Sequence, residues 1–379
     1  MGIVSLMGDV VYEGSRGIIP DYLYFLGASA LIVGLISGLG EFIGYAIRLL
    51  SGALADTTRA YWLFIFIGYG LIITVPLLAF SWGWEVAALL VLAERFGKAI
   101  RSPSRDTVLS IVSKGVGRGK AFGIHEFLDQ VGAVLGPLAV GLLMLYTGNN
   151  YSSVFKFMFI PYFLMLLALA YTYKKIGGRT RYRSKQMKEG EGGLGKSFYI
   201  YTAAVTLNTV GLIHVSLILF RASEILQPSE MQWMVPVLYL LVQGIDAPAA
   251  LASGYAYDRF GSKVLFIPFF LSIFPSVLAP VSKDLAMLVV ASLIFGLVLG
   301  MQESIYRAAV ADLAPLASRG RAYGIFNTAY GIGFLISGAV YGIFIDRKVP
   351  IFLIAAYALL SQIVAIVLLL RSKGKLSSN

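Results

Sequence analysis

The sequence predicts an all-α membrane protein with twelve transmembrane helices in two pseudo-symmetric six-helix bundles, and three observations carry that prediction. Of its 379 residues, 58% are hydrophobic and 13% charged, with a mean hydropathy of +0.79. A soluble domain would carry roughly 45–50% apolar and about 25% charged residues. Polar turns divide the chain into twelve apolar runs, and a membrane-crossing helix needs about 20 such residues at a rise of about 1.5 Å each. The two halves also repeat each other. Gly52-Ala53-Leu54-Ala55-Asp56 returns as Gly254-Tyr255-Ala256-Tyr257-Asp258. Arg118-Gly119-Lys120-Ala121-Phe122-Gly123 returns as Arg319-Gly320-Arg321-Ala322-Tyr323-Gly324, and Gly132 and Gly141 are matched by Gly333 and Gly342.

In chain order, the predicted spans are 3–26, 29–54, 61–81, 85–107, 121–146 and 154–174, then 198–221, 231–254, 264–281, 285–308, 322–344 and 350–370. Residues 1–174 form the first bundle, 175–197 a basic cytoplasmic linker, 198–370 the second bundle and 371–379 a cytoplasmic tail. Met1 to Met7 hold no basic residue, so the first run reads as a span and not as a cleavable signal.

Charge placement sets the orientation. Arg59, Lys114, Arg118, Lys120, Lys174, Lys175, Arg179, Arg181, Arg183, Lys185, Lys188, Arg259, Lys263, Arg319, Arg321, Arg371, Lys373 and Lys375 all fall in alternate loops. The opposite loops, 26–28, 81–85, 147–153, 222–230, 282–284 and 346–349, are short and nearly neutral. By the positive-inside rule both termini face the cytoplasm of a multi-pass protein in the cell membrane. The formal net charge of +11 therefore reports topology and not nucleic-acid binding.

Soluble chemistry is excluded on several counts. Zero cysteines rule out disulfides and thiol catalysis, and the two histidines, one in each half, offer no metal-ligand spacing. No Gly-Lys-Ser/Thr phosphate loop is present. The chain reads as neither an enzyme nor a cofactor carrier.

Ionisable residues inside spans are costly and mostly functional. Span 1 holds Asp9, Glu13 and Arg16 on one helical face, and span 2 holds Glu41 and Arg48. Span 4 holds Glu94, Arg95, Lys98, Arg101, Arg105 and Asp106, four of them a cationic stripe at spacings of three, three and four. Span 5 holds His125, Glu126 and Asp129. At about 1.5 Å per residue, Glu13, Arg16, Glu41, Arg95 and Asp129 lie roughly 12–18 Å from a surface. Arg16 and Arg95 are expected to pair with Glu13, Glu41 or Asp129, because an unpaired charge at that depth is expensive. A carboxylate that loses its cation there is driven to take up a proton. Asp9, Glu13, Glu41, Glu126 and Asp129, with Arg95 as partner, are thus the proton-coupling candidates. Arg101, Arg105 and Asp106, near the cytoplasmic end, read as gating or interfacial ion pairs.

The second half is less charged. Asn208, His214, Gln243, Asp246, Glu303, Tyr306, Arg307, Asn327 and Tyr330, together with Arg16, are the substrate-binding candidates. Scattered polar groups among aromatics suit a small organic or amphipathic ligand.

A duplicated twelve-span chain with Gly254-x-x-x-Asp258-Arg259-x-Gly261-x-Lys263 between the second and third spans of its second half resembles the major facilitator superfamily over its whole length. In that family the loop is a conformational latch, which the resemblance places at Gly254, Asp258, Arg259, Gly261 and Lys263, with a weaker copy at Gly52 and Asp56. That first copy departs from the pattern: Thr57 stands in place of the basic residue, and no glycine follows. Arg95 looks like the family's buried arginine, and Gly132-x-x-x-Gly136-Pro137-x-x-x-Gly141 is similar to the signature of its antiporter branch. The small residues also allow close helix packing, and Pro137 allows a bend.

The resemblance implies a monomeric secondary transporter that exports small organic or amphipathic compounds in exchange for protons. Proton-coupled import of a nutrient or organic anion is one alternative. A non-transporting receptor or scramblase on the same fold is another.

Overall fold

The computed structural model describes residues 1–113, 117–178, 193–227, 230–315 and 318–372, apart from the side chains of residues 118 and 119. The expected linker charges Arg179, Arg181, Arg183, Lys185 and Lys188 lie outside the described residues, as do Lys114, Lys373 and Lys375. Helices used below are α1 (Gly2–Phe25), α2 (Ala30–Thr58), α3 (Trp84–Val112), α4 (Arg118–Tyr146), α5 (Lys196–Val210), α6 (Met234–Phe260) and α7 (Arg319–Asp346).

Among the described residues, nine helical stretches are long and apolar enough to cross a membrane, including α2, Tyr61–Phe80, Tyr151–Ile176 and Ile351–Ser372. Helices α1 and α3 are of similar length but carry the densest charge, Asp9, Glu13, Arg16 and Asp21 on the first and Glu94 through Asp106 on the second. Large apolar side chains such as Leu89, Leu167, Leu251 and Leu360 are strongly exposed, as a lipid-facing surface requires.

The described residues fall into two compact units. The first draws on 1–27, 43–186 and 229–240, and the second on 28–42, 187–228 and 241–379.

In the first unit α1 lies against α4 through backbone contact. A Cβ on Gly132 would stand 2.7 Å from the Leu6 carbonyl, and one on Gly136 would stand 2.7 Å from the Gly14 nitrogen. Gly141 meets Val237 and Trp233 at the start of α6. These three glycines are spaced for helix approach, and the structure uses each of them for it.

The second unit shows the same device between the start of α2 and α7. Gly34 and Gly338 face each other so closely that a Cβ on either would collide with the other's carbonyl, and Gly342 sits against Ala30 and Leu31. At the N-terminus of α2 the local cap is long, Ser29 Oγ accepting from Ile32 N at 3.4 Å. Asp346 adds a second from the far end of the chain, accepting from Ala30 N and Leu31 N at 2.9 Å each. A carboxylate there satisfies two orphan donors and opposes the positive end of the helix dipole.

The predicted span 198–221 is not one continuous helix. It breaks after α5, and a new helix begins at Val215 with the His214 side chain accepting from Ser216 N at 3.2 Å. Gly211 abuts Ser361 and Gln362. Backbone groups freed by the break are bonded by side chains: Tyr357 OH donates to Val210 O at 3.1 Å, Tyr341 OH to Gly211 O at 2.7 Å, and Ile213 N to Ser276 Oγ at 2.9 Å. Away from water such groups must find partners within the protein, so a break is tolerated only where neighbouring helices provide them.

The Asp-Arg turn after α6 depends on Gly261, whose φ is +61°. The matching position in the first half is Arg59, at φ +56°. Both turns take the left-handed conformation, and only the second has the residue that adopts it without cost.

Two predictions follow from these contacts. Arg59→Gly raises thermal stability in detergent by about 0.5–1 kcal/mol, because it relieves a non-glycine residue of the left-handed region. Asp346→Ala lowers it by about 1 kcal/mol through loss of the cap. Unchanged unfolding midpoints would refute both assignments.

Candidate functional site

The first unit gathers its charges around one phenol. Tyr12 is fully buried, and its ring is approached by Lys98 Nζ at 3.8 Å, the Arg95 guanidinium at 5.0 Å, that of Arg16 at 5.2 Å and that of Arg101 at 6.0 Å. Arg95 also donates to the Tyr12 hydroxyl. Cations over a desolvated ring face are held by its quadrupole. The helical spacing explains why three come from one element: 95, 98 and 101 advance by three, so they stack on the face of α3 turned to α1.

Glu13 neutralises part of this charge. Its Oε1 pairs with Arg16 Nη1 and with Lys98 Nζ, each at 3.7 Å, and its Oε2 accepts from Tyr239 OH at 2.6 Å. Arg101 pairs with Glu94 at 3.6 Å and donates to the Gly68 carbonyl at 3.3 Å. A pocket opens beside the cluster, with Ser15, Arg16, Glu94 and Arg95 on its polar side and Val75 and Leu90 on its apolar side. Asp9 and Arg48 are both within electrostatic reach of Lys98.

A second ionic group lies one to three turns along. Arg105 reaches Asp106 at 3.0 Å, Ser5 Oγ at 3.1 Å and Asp129 at 3.4 Å, and His125 Nδ1 is 3.3 Å from the other oxygen of Asp129. Glu126 is exposed, and Glu41 stands half-buried on α2 in the second unit.

The expected pairing of Arg16 with Glu13 is present, whereas Arg95 meets the Tyr12 hydroxyl. Arg101, expected near an interface, is buried with Glu94. Sequence reasoning missed Tyr12 and Tyr239. Tyr12 left one signal, its i, i+4 spacing from Arg16. Tyr239 left none, because only the packing of α6 brings it to Glu13. Asp21, buried and accepting from Tyr151 OH at 2.8 Å, was also passed over.

The second unit is organised around a neutral hub. Asn208, fully buried, donates to Ser272 Oγ at 3.2 Å and Gln362 Oε1 at 2.8 Å, and its Oδ1 accepts from Gln302 at 3.1 Å and Tyr306 OH at 2.7 Å. Tyr330 OH donates to Gln302 Oε1 at 2.7 Å. The side-chain amide of Asn208 thus spends both donors and both acceptor positions on neighbours, which makes it and Tyr306 a scaffold. His214 caps a helix and stands edge-on to Phe334 at 5.5 Å. Asp246 and Gln243 are buried on α6.

Glu303 and Arg307 are exposed, flanking a π-helical turn at Gln302–Tyr306, and Asn327 is half-buried. Tyr323 OH donates to the Arg307 carbonyl at 3.0 Å. At the latch, Asp258, Arg259 and Lys263 are exposed, Gly254 faces Ser304, Gly52 faces Pro103, and Asp56 accepts from Tyr61 OH at 3.0 Å.

The sequence matches the profile of the Major Facilitator Superfamily over residues 1–221 and 197–379. The chain belongs to that superfamily. It is similar to an uncharacterized protein of Mycobacterium tuberculosis, 36% identical over 97% of this chain and 90% of the relative. It is also similar to an uncharacterized MFS-type transporter of Methanocaldococcus jannaschii, 26% identical over 90% of this chain and 86% of the relative.

Among solved structures, the fold resembles the nucleoside transporter NupG, with a TM-score of 0.74 at 15% identity over 100% of this chain and 98% of that one. It also resembles the peptide transporter POT in complex with alafosfalin, with a TM-score of 0.75 at 16% identity over 99% and 94%. This superfamily member is a multi-pass membrane transporter and not an enzyme.

The Asn208 hub yields a prediction of its own. Asn208→Leu takes the bond to Asn208 away from Gln302 Nε2, Tyr306 OH and Gln362 Oε1, at about 1–3 kcal/mol for each buried group left unsatisfied, so it lowers the unfolding midpoint in detergent sharply. Glu303→Gln, at an exposed position, leaves it near wild type. Equal effects would show that the hub is not structural.

Proposed function

We propose that the chain is a proton-coupled secondary transporter that moves small organic compounds by alternating access. Its reading as twelve spans, with both termini cytoplasmic and the monomer as the working unit, belongs to the same proposal. The observation that supports coupling most directly is Glu13, buried, with its two oxygens shared among Arg16, Lys98 and Tyr239. A carboxylate whose charge is stabilised only by specific partners gains or loses a proton when those partners move. Protonating Glu13 weakens two ion pairs together and thereby links proton binding to helix position. Asp129, held by Arg105 and beside His125, is the second carrier, and Asp9 lies between the two groups.

On this reading the first unit handles protons and the second contributes ligand-facing polar and aromatic groups at Glu303, Arg307 and Asn327. The Asp-Arg turn at 258–259 acts as the latch. The glycine–proline pattern of α4 favours antiport, with export of organic or amphipathic compounds against inward proton flow. Proton-linked import of an organic anion is the second reading, favoured by the cations gathered at Tyr12.

The test uses purified protein in liposomes carrying a pH-sensitive dye and an imposed proton gradient, with lipophilic cations, organic anions and sugars added singly. A compound that discharges the gradient establishes coupling, and the side from which it acts separates antiport from symport. Glu13→Gln removes the pH dependence of that transport, Asp129→Asn reduces it, and Asp258→Asn slows turnover with ligand binding retained. Transport that ignores the proton gradient in the wild type would overturn the reading.

A further inference from the structure

We propose that one end of the helix pair Tyr61–Gly70 and Phe159–Ile176, in the first unit, is a headgroup site for an anionic phospholipid, with Arg59, Lys174 and Lys175 set around a clasp of aromatic rings. This surface is separate from the buried charges and independent of the transport reading above.

The clasp fixes where the cations stand. Tyr173 packs edge-on against Trp62 at 5.0 Å and against Phe66 at 5.2 Å, and the Trp62 and Phe66 rings lie 6.1 Å apart. Arg59 precedes Trp62 by three residues, and Lys174 and Lys175 directly follow Tyr173. The ring contact therefore gathers three cations from two segments at one end of the helix pair. All three are exposed, and Lys175 Nζ lies 5.8 Å from the Tyr171 ring centroid. Among the described residues no carboxylate pairs directly with any of them. The neighbouring acid, Asp56, accepts from Tyr61 OH at 3.0 Å.

Arg59 also occupies a backbone position that suits glycine. Its φ is +56°, and the second half places Gly261 at the corresponding turn. A long cationic side chain kept in the left-handed region, where its counterpart has none, points to a use for that side chain.

The surroundings select a lipid over a soluble anion. Leading away from the cations, Leu63 and Ile67 on one helix and Leu167 and Tyr171 on the other are strongly exposed. Both helices belong to stretches long and apolar enough to cross a membrane. Aromatic rings at the end of such a stretch sit at headgroup level, with acyl chains along the apolar side chains beyond them. The charge then selects the headgroup. Three cations attract a lipid of net negative charge and repel the ammonium of a choline headgroup, and each Lys or Arg near an anionic lipid strengthens binding about fivefold.

The experiment uses the full chain in liposomes with Trp82→Phe, Trp84→Phe and Trp233→Phe, which leaves Trp62 as its single tryptophan. Phosphatidylglycerol brominated on the upper acyl chain quenches Trp62 at about one tenth of the mole fraction that brominated phosphatidylcholine requires. Arg59→Gln, Lys174→Gln and Lys175→Gln each reduce this preference, and the three together abolish it. In detergent, the chain with all four tryptophans gains a higher unfolding midpoint from added phosphatidylglycerol, and gains none from phosphatidylcholine or inorganic phosphate.

Equal quenching of Trp62 by the two lipids overturns the assignment, as does a preference that survives the triple substitution. The detergent measurement needs no substitution and decides the matter if a variant fails to fold. There, a midpoint indifferent to phosphatidylglycerol overturns the site, and an equal rise with inorganic phosphate overturns the lipid as its occupant.

Discussion

Charge buried inside a protein has to be neutralised by the protein itself, and the first unit is built around that requirement. Glu13 meets it for Arg16 and Lys98, Glu94 for Arg101, and Asp129 for Arg105. None of these is a simple one-to-one surface pair. Two of the three carboxylates are also held by, or stand beside, a further polar group: Tyr239 at Glu13, His125 at Asp129. Removing one partner would leave the other buried and uncompensated, an expensive state in low dielectric. The cluster therefore constrains how α1, α3, α4 and the start of α6 pack, and any movement of those helices must exchange charge partners.

The second unit satisfies the same requirement with neutral groups. The amide of Asn208 is saturated by four side chains, and a ladder of rings runs through Tyr201, Phe326, Tyr330 and Phe334 to His214. The Asn208 bonds themselves join only amide, hydroxyl and phenol groups, none of which is an ordinary-pH acid or base. The network supplies a rigid frame within the second unit, and the backbone break at Gly211 is tolerated because tyrosines and serines bond its freed groups.

Helix contact in both units relies on missing side chains. Gly132 and Gly136 bring α4 onto α1, and Gly34 and Gly338 bring the start of α2 onto α7. Lipid offers no hydrophobic incentive for helices to associate, so close backbone approach and specific hydrogen bonds must do so. The Asp346 carboxylate on the first turn of α2 is one such bond, placed where the glycines have already brought the two backbones together.

The sequence by itself determined the membrane class, the positions of most helices, the superfamily and the identity of the buried charges, because each is written in local pattern. Hydropathy runs mark helices, the spacing of Arg95, Lys98 and Arg101 puts them on one face, and Gly261 marks a left-handed turn. Tertiary structure alone decided which charges meet. Tyr239 reaches Glu13 across 226 positions of chain, and Asp346 caps α2 from 316 positions away. No periodicity encodes such pairs, since they arise from how helices pack. Asn208 illustrates the limit: its sequence setting suits a ligand contact as well as a scaffold, and only the four neighbours that saturate its amide distinguish them.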